Sequence, residues 1–169
     1  MVLVNTLLYN SPCGELLLGS VEDKLCLCDW TNGSRAASNR RRVARLLSAD
    51  FVAGGSDVLS QTATQLDEYF AGERREFDVP LRLMGSEFQQ RVWNALLTVP
   101  YGERYTYLYI AHRASKPKAA RAVAQAIGTN AVSILVPCHR IIGSDGSLMG
   151  YAGGVEAKQW LLDLERRTR

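Results

Sequence analysis

At 169 residues, with 47% apolar and 22% charged side chains, the chain has the composition of an ordinary globular protein with room for one sizeable core or two small domains. No apolar run approaches the roughly 20 residues that a bilayer span needs, the stretch 1–9 lacks the basic leader and small-residue cleavage site of a signal peptide, and cysteines at 13, 26, 28 and 138 are no disulfide framework in a chain of this length, so a reducing cytoplasmic setting is expected. The net charge of +3 is unevenly placed: residues 1–83 carry 9 Lys/Arg and 11 Asp/Glu, a net of −2, while residues 84–169 carry 11 and 6, a net of +5, a bias shared by nucleic-acid surfaces and solvated ones.

The first nine residues predict a strand, Ser11–Gly14 a turn, and Leu16–Gly19 and Lys24–Trp30 two further strands about a polar turn at Glu22-Asp23. Alternation along the third strand puts Cys26 and Cys28 on one face as small hydrophobes; two more ligands would be needed for zinc, and no metal is expected. Arg40-Arg41-Arg42 opens an exposed helix over 40–47 with Val43, Leu46 and Leu47 inward, which favours a solvated face over a nucleic-acid patch. Phe51–Gly55 reads as a turn or short extended piece. Asp57–Phe70 is a helix with Leu59, Ala63, Leu66 and Phe70 at helical spacing, stopped by Gly72. These elements predict an α/β domain over residues 1–82, followed by a mostly α-helical domain over 83–169.

Ser86 and Gln89 fit a capping box for a helix running to about Thr98. Thr106 is placed to cap a second helix, Tyr107–Ala114. A third is expected over Pro117–Ile127, with Ser115 as its cap, Ala120, Val123, Ala124 and Ile127 inward, and Lys118 and Arg121 outward. Two short helices so joined are a helix-turn-helix candidate. Its second helix is rich in alanine, which permits close approach to a nucleic-acid groove, and Lys116, Lys118 and Arg121 lie toward its N-terminal half, which favours phosphate. Plain packing of a helical hairpin accounts for the same pattern.

The chemistry concentrates in residues 133–142, where Pro137-Cys138-His139-Arg140 sits between apolar runs and before a turn at Gly143–Gly146. A buried segment has little reason to hold His and Arg unless they are paired or used. A thiol beside a base is a prepared nucleophile if the two side chains meet, and an inert core cysteine if they do not. Three glycines around Tyr151, at 150, 153 and 154, imply close backbone approach or positive φ. The final helix, Val155–Arg166, is expected to bury Val155, Trp160, Leu161 and Leu164 and to fray at its arginines. Glu165 on its last turn opposes the helix dipole, which a partner inside the fold would explain.

In order, Gly85–Trp93 (GSEFQQRVW), Val99–Glu103 (VPYGE), Lys118–Val123 (KAARAV), Pro137–Arg140 (PCHR) and Gly150–Gly154 (GYAGG), continued to Lys158 and Glu165, closely resemble the methylated-DNA–protein-cysteine methyltransferases, the O6-alkylguanine-DNA alkyltransferases of direct reversal repair. The N-terminal part matches only weakly, through Ser11–Gly14 and the helix with Tyr69 and Phe70. The resemblance implies a ribonuclease H-like N-terminal domain and a helix-turn-helix domain bearing the reactive cysteine. It implies irreversible, single-turnover transfer of a methyl or larger alkyl group from O6 of guanine, with O4 of thymine left open, to Cys138. It further implies that His139 activates Cys138 through a bridging water, Glu165 orients His139, and Asn130 braces the segment. Arg121 enters the duplex in place of the everted nucleotide, Tyr107 presses the target phosphate, Tyr151 donates toward the guanine, and Val136 and Val155 present groups to the base. The expected partner is double-stranded DNA bearing O6-alkylguanine, met in the minor groove with the nucleotide flipped. No cofactor is expected. A monomer is, with assembly of several molecules on DNA left open. The alternative is an alkyltransferase-like protein that binds the lesion without transfer, and Cys138 argues against it. Ala152, where some relatives carry Ser or Thr, leaves one pocket hydrogen bond to the backbone.

Overall fold

The computed structural model describes residues 2–114, 118–148 and 150–169. The N-terminal part comprises β1 (Val2–Ser11), β2 (Gly14–Val21), β3 (Lys24–Trp30), α1 (Ala36–Leu47), β4 (Ala49–Ala53) and α2 (Asp57–Phe70). The C-terminal part comprises α3 (Glu87–Leu96), β5 (Tyr105–Thr106), α4 (Tyr107–Arg113), α5 (Ala120–Gly128), a 3₁₀ turn at Cys138–Arg140, β6 (Ile141–Ile142) and α6 (Val155–Arg167). The expected class holds: a sheet-based N-terminal part precedes a mostly helical one.

The main sheet has the order β3-β2-β1-β4. Glu22 and Asp23, at φ 48° and 64°, form the left-handed two-residue turn that lets β2 and β3 pair without splaying. β4 occupies part of the stretch expected to be a turn or short extended piece and pairs parallel to β1, with α1 as the crossover. α1 begins at Ala36, ahead of the expected start at Arg40; it buries Ala36, Asn39 and Val43, and that stripe leaves Leu46 41% exposed. α2 has the expected bounds, with the Ser56 hydroxyl accepting from Leu59 N at 3.1 Å. Its buried stripe includes Leu59, Leu66 and Tyr69, while Ala63 stays half-buried.

One expectation in β3 fails for a local reason. Gly19 pairs with Leu27 and Ser20 with Leu25, so Cys26 is an extra residue in a β-bulge. The bulge reverses the alternation. Cys28 joins the main core with Leu25 and Trp30, whereas Cys26 packs with Val4, Leu27 and Val43 in a smaller cluster on the other side. The two cysteines therefore do not share a face.

β3 is an edge strand, and its spare backbone groups join the two parts of the chain. Cys28 N donates to Ala131 O at 2.8 Å and Ser133 N to Cys28 O at 2.7 Å. The main core crosses the same seam: Leu18, Leu25, Cys28 and Trp30 belong to one cluster with Val92, Ile110, Val123, Val136 and Leu161. Arg42, expected on a solvated face, turns inward instead and donates to Thr129 O at 2.7 Å while its guanidinium lies over the Trp93 ring.

The capping box forms as the spacing predicts: Gln89 N donates to the Ser86 hydroxyl at 3.1 Å and Ser86 N to Gln89 Oε1 at 2.8 Å, worth about 1 kcal/mol. Thr106 caps α4 through Tyr109 N at 3.2 Å. α5 begins at Ala120, after an N-cap at Ala119 that offers no side-chain bond; the expected Ser115 cap and Pro117 start, with Lys116, lie outside the described residues. It buries Val123, Ala126 and Ile127, and exposes Ala120 and Ala124, expected inward, together with Arg121. α6 buries Lys158, Leu161, Leu164 and Glu165 but leaves Val155 42% exposed. Its end is tied rather than frayed: Arg166 pairs with Asp163 and Arg169 with Glu103. Among the described residues no helix is long and apolar enough to cross a membrane.

Candidate active site

The segment between α5 and β6 folds back on itself through two tight turns. Leu135 N donates to Ser133 O at 2.9 Å across Ile134, whose φ of +72° is rare and costly for a β-branched residue. Cys138 N then donates to Val136 O at 2.8 Å across Pro137. Asn130 braces both turns: its Oδ1 accepts from Val132 N at 2.9 Å, and its Nδ2 donates to Val136 O at 3.0 Å and to Cys138 Sγ at 3.2 Å. A strained backbone at this point, held by an over-determined bond network, is where a functional geometry is stored.

The 3₁₀ turn that follows decides what the adjacent residues can do. With three residues per turn, successive side chains leave about 120° apart. Cys138 turns to one side, toward Asn130, while His139 and Arg140 turn to Glu165 on α6. Adjacency in the chain therefore gives no direct thiol–imidazole bond.

Glu165 is fully buried and collects five donors. Oε1 accepts from Arg140 Nε at 2.8 Å and Gly102 N at 3.1 Å. Oε2 accepts from the Tyr69 hydroxyl and His139 Nε2, both at 2.6 Å, and from Arg140 Nη2 at 3.1 Å. Burial alone would raise its carboxyl, but His139 and Arg140 outweigh that and hold it well below the usual carboxylate range. Its placement against the helix dipole is thus explained. Burial lowers His139 below its ordinary value, with Glu165 pulling the other way and Arg140 and Lys158 adding to the lowering. Arg140 already balances the Glu165 charge, so a resting imidazolium would be a surplus buried cation. His139 is neutral near pH 7. Its Nε2–H is given to Glu165, and Nδ1, the acceptor of that tautomer, is buried without a protein partner among the described residues.

Cys138 is 5% exposed, and burial pushes its thiol up to about 11, against the pull of the Asn130 amide and the Lys158 ammonium. The resting sulfur is a protected thiol, not a free thiolate. A cavity of about 10 Å³, near the minimum for one water, is lined by Tyr107, Asn130, Cys138, Gly150, Tyr151 and Lys158 among others. A larger cleft of about 390 Å³, between residues 75–81 and 97–101, reaches Pro137 and Arg140 from behind but does not include Cys138. The Cys138 sulfur lines the small cavity and not this cleft.

Of the residues singled out in the sequence, the fold brings Cys138, Asn130, Tyr107 and Tyr151 to that cavity and sets His139 and Glu165 behind it. Val136 is fully buried with its carbonyl taken by Asn130 and Cys138, and Val155 is exposed; neither lines the cavity. Lys118 and Arg121 are exposed at the start of α5, and Lys116 lies outside the described residues. Sequence reasoning gave no role to four residues that shape the site. Arg140 and Tyr69 fix Glu165, Lys158 donates to Ile141 O beside the cavity, and Trp30 donates to the Tyr151 hydroxyl. Arg140 stood out as a charge in an apolar segment, and Lys158 only as one of the positions that carry the resemblance.

The site thus combines a buried thiol held by Asn130, a separate imidazole–carboxylate pair, and a neighbouring helix whose exposed face carries Ala120, Arg121 and Ala124. Two family models divide the chain between them. The 6-O-methylguanine DNA methyltransferase ribonuclease-like domain matches residues 5–83, and the DNA binding domain of the same family matches residues 87–167. The methylated-DNA–protein-cysteine methyltransferase of Mycobacterium leprae is 54% identical over 160 residues, covering 93% of this chain and 89% of its own. The crystal structure of the Mycobacterium tuberculosis O6-methylguanine methyltransferase superposes with a TM-score of 0.82 at 42% identity, covering 100% of this chain and 95% of that one. A crystal structure of Mycobacterium tuberculosis OGT in complex with DNA gives a TM-score of 0.81 at 41% identity, covering 98% and 94%. The chain belongs to the 6-O-methylguanine DNA methyltransferase family.

Proposed function

We propose that Cys138 is the residue that accepts the alkyl group when this protein, a direct-reversal DNA alkyltransferase, removes it from O6 of guanine. The observation that carries the assignment is the Cys138 sulfur lining a small cavity while the acceptor nitrogen of a neutral, carboxylate-held His139 lies buried without a protein partner among the described residues. A water between Sγ and Nδ1 takes the thiol proton as it gives its own to His139. The sulfur then forms its bond to the alkyl carbon as the C–O6 bond breaks, and the electron pair stays with O6. Glu165 stabilises the imidazolium so formed. The guanine leaves as an anion, steadied by a hydrogen bond from Tyr151, and recovers one proton on its ring from solvent, equal to the one Cys138 gave up. The thioether has no route back, so each molecule acts once.

The substrate in this reading is the duplex lesion, approached from the minor groove with its nucleotide flipped out. Ala120, Ala124 and Arg121 on the exposed face of α5 let the backbone come close and place one long cation in the gap left by the base. Tyr107, half-buried at the start of α4, reaches both the cavity and the surface where the target phosphate would lie. Lys116 and Lys118 add phosphate attraction, so binding weakens with salt. Val136 and Val155 would meet the base only after the cavity opens; Gly150 and Gly154, both at φ 91°, flank the Tyr151 loop and supply the backbone freedom for that. The protein works as a monomer, and the reducing cytoplasm suits its four free thiols.

The test separates DNA handling from chemistry. Arg121→Ala should slow transfer from an O6-methylguanine duplex by about 10- to 100-fold, the cost of losing part of the eversion energy. Reaction with free O6-benzylguanine, which needs no eversion, should change little. Equal losses on both substrates would remove Arg121 from the flipping step, and no covalent product with either would remove the transfer itself.

A further inference from the structure

Tyr151 belongs to the C-terminal part of the chain, but the group that fixes its hydroxyl comes from the N-terminal sheet. Trp30 is the last residue of β3 and is 1% exposed. Its Nε1–H donates to the Tyr151 hydroxyl oxygen at 3.1 Å, and the two rings meet edge to face with centroids 6.3 Å apart. The loop is seated on the same stretch at two further points. Gly153 lies so close over the indole that a Cβ there would come within 2.6 Å of Nε1, and Ser34 N donates to Ala152 O at 3.3 Å. Three consecutive loop residues thus rest on residues 30–34.

We propose that Trp30 is a positioning residue for alkyl transfer, one that turns the Tyr151 hydroxyl proton toward the base pocket. The proposal rests on the reading above in which Tyr151 donates to the departing guanine. A phenol has one proton and two lone pairs, whereas an indole N–H can only donate. By occupying a lone pair, Trp30 leaves the phenol proton to point elsewhere, and the other side of Tyr151 is the cavity that holds Cys138. The indole also meets the partial negative charge that gathers on the phenol oxygen as its proton is shared with the leaving base. The resting electrostatics agree: burial and the Cys138 sulfur raise the Tyr151 phenol well above its ordinary range, and the Trp30 donor opposes them, with the Ser133 hydroxyl the next polar group acting in the same sense. The N-terminal domain then does more than support the core, because it supplies a hydrogen bond one atom away from the base donor.

Single-turnover transfer from O6-methylguanine duplex, measured for wild type, Trp30→Phe, Tyr151→Phe and the double variant, tests this as a cycle. Trp30→Phe keeps an aromatic ring and removes the N–H, and should slow transfer about tenfold. In the Tyr151→Phe background the same change should cost little, since there is no hydroxyl left to turn. Alkylation of Cys138 by iodoacetamide, which has no guanine to release, should be the same in wild type and Trp30→Phe. Should Trp30→Phe fail to fold, 3-benzothienylalanine at position 30 keeps the bicyclic ring and deletes only the N–H. A Trp30 variant within twofold of wild type, or a loss undiminished in the Tyr151→Phe background, would overturn the proposal. If Tyr151→Phe alone transfers at the wild-type rate, the base-donor reading fails first and takes this one with it.

Discussion

Replacing Cys138 with serine should abolish transfer to the protein while leaving duplex affinity unchanged. Serine is close in size to cysteine, and the side chain is 5% exposed beneath the helix pair, so neither packing nor the DNA-facing surface is disturbed. What is lost is a soft nucleophile that ionises within reach of a histidine. A serine hydroxyl gives up its proton far less readily, and removing the nucleophile of a preorganised site typically costs about 10⁶-fold in rate. A gel-shift titration together with a radiolabelled methyl-transfer assay reads both halves of the expectation. Full affinity with no label on the protein is the predicted pair. It would also make the variant a mimic of a lesion reader, which separates the two functions that the alternative reading confuses. Label appearing on the Cys138→Ser protein would assign the acceptor to another of its free thiols.

Glu165→Gln is expected to damage stability and chemistry together. The carboxylate and the Arg140 side chain are 1% and 8% exposed, so the substitution leaves a buried guanidinium without its counter-ion, at a cost of about 3–5 kcal/mol. For a chain of this size that is a fall of about 10 °C in melting temperature. The amide also accepts more weakly from His139 Nε2 and can offer its own N–H there, favouring the wrong imidazole tautomer, so transfer should slow by about 10²- to 10⁴-fold. The pH dependence of stability carries a separate mark. The folded-state Glu165 lies below its unfolded value of about 4.3, so its contribution is complete above that value and disappears as pH falls through the acid range below it. Melting curves of the wild type should therefore converge on those of Glu165→Gln on acidification. Parallel curves down to acid pH would show that the carboxylate is not held ionised by Arg140 and His139.

Much of the fold was legible because its signals are local. The Ser86–Gln89 capping box, the Thr106 cap and both ends of α2 follow from residues within one helical turn of each other. The errors arose where tertiary contacts override spacing. Cys26 and Cys28 alternate in the sequence, yet a bulge paired against Gly19 and Ser20 separates them. Ala120 and Ala124 have the apolar character of core residues, but Val123, Ala126 and Ile127 fill the available packing surface and leave the alanines outside. The site divided in the same way. Cys138, His139 and Glu165 stood out as chemistry that an apolar segment or a helix end does not otherwise need. Arg140 was visible as a charge, but its role depends on α6 folding back over the 3₁₀ turn. Trp30 and Tyr151 are 121 positions apart, and nothing in the spacing of either predicts that one donates to the other.

Electrospray mass measurement of the intact wild-type protein, after incubation with excess duplex bearing a single O6-methylguanine, tests the central claim most directly. The predicted result is a gain of one CH₂ per molecule, reached once and not exceeded, located by peptide fragmentation at Cys138. A protein recovered at its starting mass, or one carrying the added carbon on a different residue, would contradict it.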